Sequence, residues 1–368
     1  RTEFDALGNI VLRRFFGMAG EPINGAAGYA EVVREYDELG NLLEERYLDK
    51  DGRGVAIAGD AFAFARYAYD SKGNQTYAAY FDGDGNPVNC NGGYAAVERA
   101  YDGRRLVGER YTDARGNPAV IAAGYSRCTF GEIGEGHLYE ALFVNEAPDQ
   151  SVEAPQWAET RDRYDRPVYI RYLDAGGAPL RLSAGYAAIG YAYTSRNQIE
   201  AQYYFDPSGA PVALDGAYGQ RMEYGRDGRL SRVSFLAADG SVAACDAGYA
   251  HIAYQHDSTR EPTYRCSTET YLDERGAATR NALGYAAKRT EYYASTRVYT
   301  VSYLDEDGGP ATIADGYASL QYEMDDRGNV VWEGYFGADG TPANCLRGYA
   351  NVERAFDEKG RVTSERYF

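Results

Sequence analysis

The sequence predicts an all-β protein, an elongated repeat array (a β-solenoid or a β-hairpin stack) of about eleven 32-residue units, called repeats below. Three observations lead to this prediction. A Gly-Tyr-Ala triplet recurs along the chain, glycine-containing turns follow at fixed offsets, and the segments between turns are seven or eight residues long and alternate between two faces. Alternation with a period of two is typical of strands and not of helices. Only the stretch 136–145 leaves room for a helix.

Each repeat is counted from the middle residue of its triplet, which we call the anchor. Successive anchors lie 29 to 36 residues apart, and most intervals are close to 32. Repeats of this size bury their apolar face by stacking on their neighbours, so the expected core is continuous, thin and rich in tyrosine. The eleven anchors are Tyr29, Phe62, Tyr94, Tyr125, Trp157, Tyr186, Ala217, Tyr249, Tyr285, Tyr317 and Tyr349.

Inside a repeat, an aromatic residue and an acid stand seven positions after the anchor, and a second such pair stands about eighteen positions after it. Tyr36-Asp37 and Tyr47-Leu48-Asp49 are examples. A turn of the type Asp-x-x-Gly-Asn separates the two strands, because glycine and asparagine accept a positive φ. Where arginine stands five positions after the anchor, the second strand carries a glutamate. We predict cross-strand ion pairs Arg34–Glu45, Arg99–Glu109 and Arg354–Glu365.

The Tyr-Asp-x-x-Gly-Asn turns at 36–41 and 69–74 resemble the tyrosine-aspartate (YD) repeats of Rhs-type bacterial surface and toxin proteins. The aromatic hairpins are also similar to MORN repeats and to the cell-wall-binding repeats of bacterial surface proteins. The resemblance implies β-hairpin shells or spirals and a bacterial protein of the cell envelope or the extracellular space. The period near 32 and the Gly-Tyr-Ala triplet depart from the usual YD pattern, and no self-cleaving protease core or toxin terminus is evident.

One repeat is irregular, and it divides the predicted organisation into regular hairpins over 1–124, a degenerate repeat or junction over 125–156, and regular hairpins over 157–368. Glu132 stands where other repeats have their first aromatic residue. One interpretation is a loop that carries Glu132, Glu135 and His137 into a binding groove. The other is a junction at which the array bends or two sub-arrays meet.

The charge balance excludes nucleic acid as a partner. The chain has 38 Lys plus Arg against 55 Asp plus Glu, a net charge of −17, and the two signs are interspersed. A phosphate backbone requires clustered basic residues. No run approaches the 18 or so apolar residues of a membrane-spanning helix, so no transmembrane segment is predicted.

Enzyme signatures are absent from the sequence. It has no Gly-x-Ser-x-Gly elbow, no P-loop and no His-Glu-x-x-His, and it contains only three histidines. Nearly every acid lies in a repeated turn, and the Asp-x-Asp-Gly turns lack the glutamate that would complete a calcium-binding loop. We therefore expect no catalytic residues, no cofactor and no metal site.

Five cysteines occur, without a Cys-x-x-Cys motif. The repeat spacing is compatible with two disulfides, Cys90–Cys128 and Cys245–Cys266, and it is equally compatible with free buried thiols. Cys345 is left over in either case.

These observations favour a non-catalytic repeat module of a bacterial envelope or extracellular protein that binds a glycan polymer or acts as a scaffold. The candidate ligand-binding rings are the doublets Tyr203-Tyr204 and Tyr292-Tyr293, together with the acidic loop described above. An alternative is protein–protein interaction or self-assembly into a stalk or filament, as a homo-oligomer joined through open sheet edges. A third hypothesis is an appendage of an enzyme that synthesises an envelope polymer.

Overall fold

The computed structural model describes residues 1–133, 138–148, 152–257 and 264–368. Throughout these residues, helices are absent and the regular secondary structure is β-strand. The all-β prediction is therefore confirmed. The chain divides into two compact units, Arg1–Leu182 (unit 1) and Ser183–Phe368 (unit 2).

The strands of unit 1 are β1 (Thr2–Phe4), β2 (Ile10–Arg14), β3 (Glu31–Tyr36), β4 (Leu42–Leu48), β5 (Phe64–Tyr69), β6 (Gln75–Phe81), β7 (Ala96–Asp102), β8 (Arg105–Thr112), β9 (Arg127–Ile133), β10 (Leu138–Val144), β11 (Gln156–Arg161) and β12 (Pro167–Leu173).

The strands of unit 2 are β13 (Ala188–Tyr193), β14 (Ile199–Phe205), β15 (Gly219–Tyr224), β16 (Leu230–Leu236), β17 (His251–Asp257), β18 (Tyr264–Leu272), β19 (Ala287–Tyr293), β20 (Val298–Leu304), β21 (Ser319–Met324), β22 (Val330–Phe336), β23 (Asn351–Phe356) and β24 (Val362–Tyr367).

Within each unit, every strand pairs in antiparallel fashion with its neighbours in sequence. In unit 1, for example, β3 pairs with β4 inside one repeat, and β4 pairs with β5 of the next. In unit 2, β21 and β22 form one hairpin, and β22 pairs with β23 of the next. Each unit is thus a stack of hairpins, as the repeat pattern predicts.

The turn inside each hairpin explains why glycine recurs there. In the β3–β4 hairpin, the Asp37 N–H donates to the Asn41 carbonyl at 2.9 Å and the Gly40 N–H donates to the Asp37 carbonyl at 3.1 Å. Gly40 has a φ of 84°, and the strand register shifts by a bulge between Glu35 and Tyr36. This is the arrangement of a turn that ends in a left-handed glycine and a bulge, which residues with a Cβ adopt only at a cost.

The core of each unit contains a series of neighbouring aromatic rings, which we call the aromatic ladder; in unit 2 the anchor Ala217 supplies no ring between Tyr204 and Phe235. Most repeats contribute their anchor and the aromatic residue of their second strand, and neighbouring centroids lie 4.8 to 6.2 Å apart in unit 1. The ladder of unit 1 comprises Phe15, Tyr29, Tyr47, Phe62, Tyr80, Tyr94, Tyr111, Tyr125, Phe143 and Trp157. That of unit 2 comprises Tyr186 with Tyr204, and then Phe235, Tyr249, Tyr271, Tyr285, Tyr303, Tyr317, Tyr335, Tyr349 and Tyr367.

The segment that joins one hairpin to the next covers the ladder. After β6 the chain reverses, and the Val88 N–H donates to the Tyr80 carbonyl at 3.0 Å. Val88 and Cys90 then pack in the same cluster as Tyr80 and Tyr94. Equivalent residues, such as Ala119 and Ile121 in unit 1 and Ala343 and Cys345 in unit 2, do the same. The rings therefore lie between the sheet and the joining segments.

The irregular repeat continues the hairpin pattern. β9 pairs with β8 on one side and β10 on the other, and β10 pairs with β11. Leu138–Val144 is a strand, so the expectation of a helix within 136–145 is wrong over these residues. The reason is that β10 has partners on both sides and contributes Phe143 to the ladder. The junction predicted over 125–156 stays a prediction.

Substitution of Gly216 by alanine is expected to destabilise unit 2 by about 2 kcal/mol. Gly216 has a φ of 79°, and an added Cβ would lie 2.7 Å from the backbone nitrogen of Asp246. That N–H donates to the Asp215 carbonyl at 2.8 Å, so this link between neighbouring turns would be strained. Urea denaturation followed by circular dichroism measures the change.

Gly240→Ala is the matched control, since Gly240 has a φ of 82° and an added Cβ would meet no atom within 4 Å. It carries only the conformational cost of about 1 kcal/mol. Equal losses of stability in both variants would contradict the steric argument at Gly216.

Candidate functional site

The three predicted cross-strand ion pairs are confirmed. Arg34 lies opposite Glu45 in the register, and Arg34 Nε is 3.2 Å from Glu45 Oε2. The corresponding N–O distances are 2.8 Å for Arg99–Glu109 and 2.9 Å for Arg354–Glu365. Tyrosine hydroxyls supply further donors: Tyr67, outside the ladder, donates to Glu45 at 2.9 Å, and the ladder residue Tyr111 donates to Glu109 at 2.9 Å. These carboxylates are therefore engaged in structural contacts.

The predicted doublet Tyr203-Tyr204 is divided between the two faces of the sheet. Tyr204 belongs to the ladder, 5.5 Å from the Tyr186 ring, and burial raises the pKa of its hydroxyl. Tyr203 points to the other face and lies across Gly219, where an added Cβ would come within 2.8 Å of its ring. Successive side chains of a strand alternate in direction, so the doublet forms no common ring surface.

The second doublet, Tyr292-Tyr293, is divided in the same way. Tyr292 stacks on Tyr299 with centroids 4.3 Å apart, and Tyr299 stacks on Tyr322 at 4.9 Å. Each ring of this stack faces another ring, so its middle member has both faces covered. Tyr293 lies on the opposite face beside Tyr264 and is 43% exposed.

Of the predicted acidic loop, only Glu132 can be placed. Its carboxylate is exposed and forms an ion pair with Arg105 at 3.0 Å. Glu135 and His137 lie outside the described residues, so the loop hypothesis stays a prediction.

All five cysteines are free thiols, and the two disulfides that the spacing allows are not formed. Cys90 packs with Tyr47 and Phe62, whereas Cys128 packs in another cluster with Phe143. Cys245 lies in the segment that leads into β17, whose first residue His251 pairs with Leu272. Cys266 lies six residues before Leu272 on β18, about 20 Å along the strand from that end. Of the two alternatives, the structure contains the free thiols.

The repeated turn acids cap the turns. The Asp37 Oδ1 atom accepts the N–H groups of Leu39 and Asn41 at 2.9 and 2.8 Å, and Oδ2 accepts the Asn41 amide at 2.8 Å. The hydrogen bond from the Asn41 side chain is the main reason that the pKa of the Asp37 carboxyl is lowered. Among the described residues, no group of three or more His, Cys, Asp or Glu side chains is placed to hold a metal ion.

Sequence reasoning missed a groove of about 520 Å³ at the hairpin tips of unit 2, which we call the tip groove. It lies between the turn that follows β13 and the end of β15. The signal that could have revealed it is the loss of the turn aspartate in two successive repeats, where Thr194 and Gly225 stand instead. Its polar and aromatic lining includes Arg196, Gln198, Glu200, Glu223, Tyr224 and Arg226.

The fold and these sites define the class: the chain is a tyrosine-rich β-hairpin repeat protein. No helix in the described residues has the length and apolar character needed to cross a membrane. A scan of protein-family models finds no match. A search of curated proteins also finds none.

Solved structures similar to this chain include three crystal structures. That of TcdB2-TccC3-TEV matches 100% of this chain with 13% identity and a TM-score of 0.26. That of TcdB2-TccC3-Cdc42 matches 92% with 12% identity and a TM-score of 0.15, and TcdB2-TccC3 without its hypervariable C-terminal region matches 99% with 11% identity and a TM-score of 0.18. This chain spans only 18%, 18% and 20% of the three matched chains, respectively.

Proposed function

We propose that this chain is a scaffolding repeat module, without catalytic activity of its own, of a bacterial envelope or extracellular protein. The observation that carries the proposal is the aromatic ladder. In each unit it connects successive hairpins through rings such as Tyr47 and Tyr111, or Tyr271 and Tyr317, which are buried. A core of this kind is made rigid by contacts between neighbouring repeats, and the same contacts recur from one repeat to the next.

The use of the tyrosines favours the scaffold over glycan binding along the whole array. Sugars stack on exposed ring faces, but the ladder rings lie against one another and under the joining segments. Among the four predicted binding rings, only Tyr293 is exposed, and the other three are half-buried. The resemblance of the Tyr-Asp turns to bacterial surface repeats supports the proposed location.

A second candidate is self-assembly through sheet edges. An uncovered edge strand offers unpaired N–H and C=O groups to another chain. Light scattering that rises with protein concentration would favour this role over that of a monomeric scaffold.

Deletion of one complete repeat, residues 285–316, tests the scaffold. The deletion removes 32 residues, including β19 and β20, and joins Gly284 to Tyr317, which restores the Gly-Tyr-Ala triplet. Tyr317 then replaces Tyr285 beside Tyr271. The two natural contacts of this type are alike, with 5.6 Å for Tyr271–Tyr285 and 6.0 Å for Tyr303–Tyr317. We expect the shortened chain to keep its β circular dichroism and its melting temperature within about 5 °C.

The control is deletion of residues 285–300, which removes half a repeat and cuts through β20. It leaves a strand without its hairpin partner and is expected to unfold or aggregate. If both deletions were equally damaging, the repeat would not be an exchangeable element and the scaffold proposal would fail.

A further inference from the structure

The tip groove occupies a defined place in two successive hairpins of unit 2. One wall is the turn 194–198 between β13 and β14, and the other is formed by 222–226, at the end of β15 and the start of its turn. Its volume of about 520 Å³ falls within the range of small-molecule sites, roughly 300 to 1,000 Å³.

The turns that form the groove depart from the repeat in the same way. Elsewhere an aspartate such as Asp37 starts the turn and caps two N–H groups. At the groove, Thr194 Oγ1 provides only longer contacts, at 3.3 and 3.2 Å, and Gly225 has no side chain. Two negative charges are therefore missing from neighbouring turns, and Arg196 and Arg226 stand beside the vacated positions.

The charged side chains of the groove are not engaged in ion pairs that hold the hairpins together. Within the described parts of the chain, none of Arg196, Arg226 and Glu200 forms an ion pair within 4.0 Å. The arginines that serve the hairpins, such as Arg34 and Arg99, are paired with glutamates. The groove thus combines the guanidinium donors of Arg196 and Arg226 with the carboxylate acceptor of Glu200. The Glu223 side chain points to the opposite face of β15 from Met222 and Tyr224, because successive side chains of a strand alternate.

The aromatic wall of the groove is held in position. The Tyr224 hydroxyl donates to the Ile199 carbonyl at 2.7 Å, across to the neighbouring hairpin. The Tyr36 hydroxyl makes the equivalent contact with the Ile10 carbonyl at 3.3 Å, so this anchoring is part of the repeat. Met222 lies two positions before Tyr224 and adds an apolar surface beside the ring.

We propose that the tip groove binds a short neutral oligosaccharide. Neighbouring sugar hydroxyls donate and accept hydrogen bonds together, and they match a site with guanidinium donors and a carboxylate acceptor. The apolar face of a sugar ring packs on Tyr224 and Met222. A fixed ring with a few oriented polar groups costs little conformational entropy on binding.

The charges of the groove favour a neutral ligand over an anion. Glu200 opposes a phosphate or carboxylate ligand, and the chain carries a net charge of −17. A simple cation is opposed by Arg196 and Arg226. The binding activity is additional to the scaffold role, and the groove lies outside the repeat deleted in the scaffold test, so the two proposals fail independently.

Isothermal titration calorimetry on the full chain tests the proposal. The probes are the neutral oligosaccharides maltotetraose, cellotetraose and chitotetraose, with tetragalacturonate and inorganic phosphate as anionic comparisons. We expect at least one neutral probe to bind with a dissociation constant of millimolar or below. Arg226→Ala and Glu200→Ala should each weaken that binding about tenfold, because each removes a charged hydrogen-bonding group.

Arg275→Ala is the control, since Arg275 is an exposed arginine in another turn of unit 2. It should leave binding unchanged, and all three variants should keep the wild-type circular dichroism because none removes an ion pair. Absence of binding by all three neutral probes would overturn the proposal. So would stronger binding of tetragalacturonate or phosphate, or binding that survives both groove substitutions.

Discussion

Raising the pH from about 10 to about 12 is expected to unfold the protein cooperatively. Burial raises the pKa of the ladder tyrosines Tyr47 and Tyr111 in unit 1 and of Tyr271, Tyr317 and Tyr335 in unit 2. In the unfolded chain these hydroxyls ionise near their ordinary pKa of about 10. Absorbance of tyrosinate and far-ultraviolet circular dichroism, followed together, measure the transition.

The sign of the effect follows from proton linkage. Because the folded-state pKa is raised, the neutral tyrosines contribute their full stability below about pH 10, and this contribution is lost as the pH rises toward the folded-state pKa. Each buried tyrosine that ionises only on unfolding lowers the free energy of unfolding by about 1.4 kcal/mol per pH unit. Burial raises the pKa of Tyr67 and Tyr80 as well, so four such residues in unit 1 give a slope of about 5 to 6 kcal/mol per pH unit. Burial also raises the pKa of Tyr125 to about 12 and that of the Cys128 thiol to about 11, so both steepen the same transition.

Tyr111→Phe provides the control for the alkaline transition. It keeps the ring and removes one ionisable hydroxyl, so the slope for unit 1 should fall by about 1.4 kcal/mol per pH unit. Titration of most tyrosines near pH 10 without loss of the β signal would mean that the ladder hydroxyls are accessible in the folded state, and would contradict this account.

Substitution of Tyr111 by alanine is expected to destabilise unit 1 by about 3 to 5 kcal/mol. The side chain is 7% exposed and lies 4.8 Å from Tyr94 and 6.2 Å from Tyr125 between ring centroids. Its removal leaves a cavity beside Ala78 and Val97, which share its cluster. Urea denaturation measures the loss of stability, and hydrogen exchange should show the largest loss of protection in β8 and β9, with smaller losses farther along unit 1.

Two controls separate the contribution of the buried Tyr111 ring to stability from that of its hydroxyl and from the effect of removing any tyrosine ring. Tyr111→Phe loses only the hydrogen bond to Glu109, 2.9 Å long, and should cost about 1 kcal/mol because Glu109 keeps its ion pair with Arg99. Tyr164→Ala removes a ring that is 62% exposed at a turn, and should change stability by less than about 0.5 kcal/mol. A loss at Tyr111→Ala as small as that at Tyr164→Ala would show that the ladder does not hold the hairpins together.

Features that arise within one hairpin could be predicted from sequence. The strands β3 and β4 follow from the alternation of side chains, and the turn between them follows from Asp37 and Gly40. The Arg34–Glu45 contact could also be predicted, because the two residues are eleven positions apart and the turn sets their register. These features depend on interactions over about twenty residues that recur in repeat after repeat.

Which of the candidate binding tyrosines are exposed could not be predicted from sequence. Tyr292 and Tyr293 are equivalent in composition, but alternation places them on opposite faces, where Tyr292 meets Tyr299 and Tyr293 meets Tyr264. Which ring is covered depends on residues contributed by other strands. The division of the chain after Leu182 likewise has no marker in the repeat pattern.

By itself, then, the sequence determined the repeat, the hairpin, the aromatic core and the pairing of Arg34 with Glu45, because each is a local consequence of spacing. The tertiary structure alone decided which tyrosines are covered, that the thiols of Cys90 and Cys128 lie in separate clusters, and that Thr194 and Gly225 meet across one groove. The physical reason is that stacking brings together residues from different repeats, and a periodic sequence does not specify which irregularities will become neighbours.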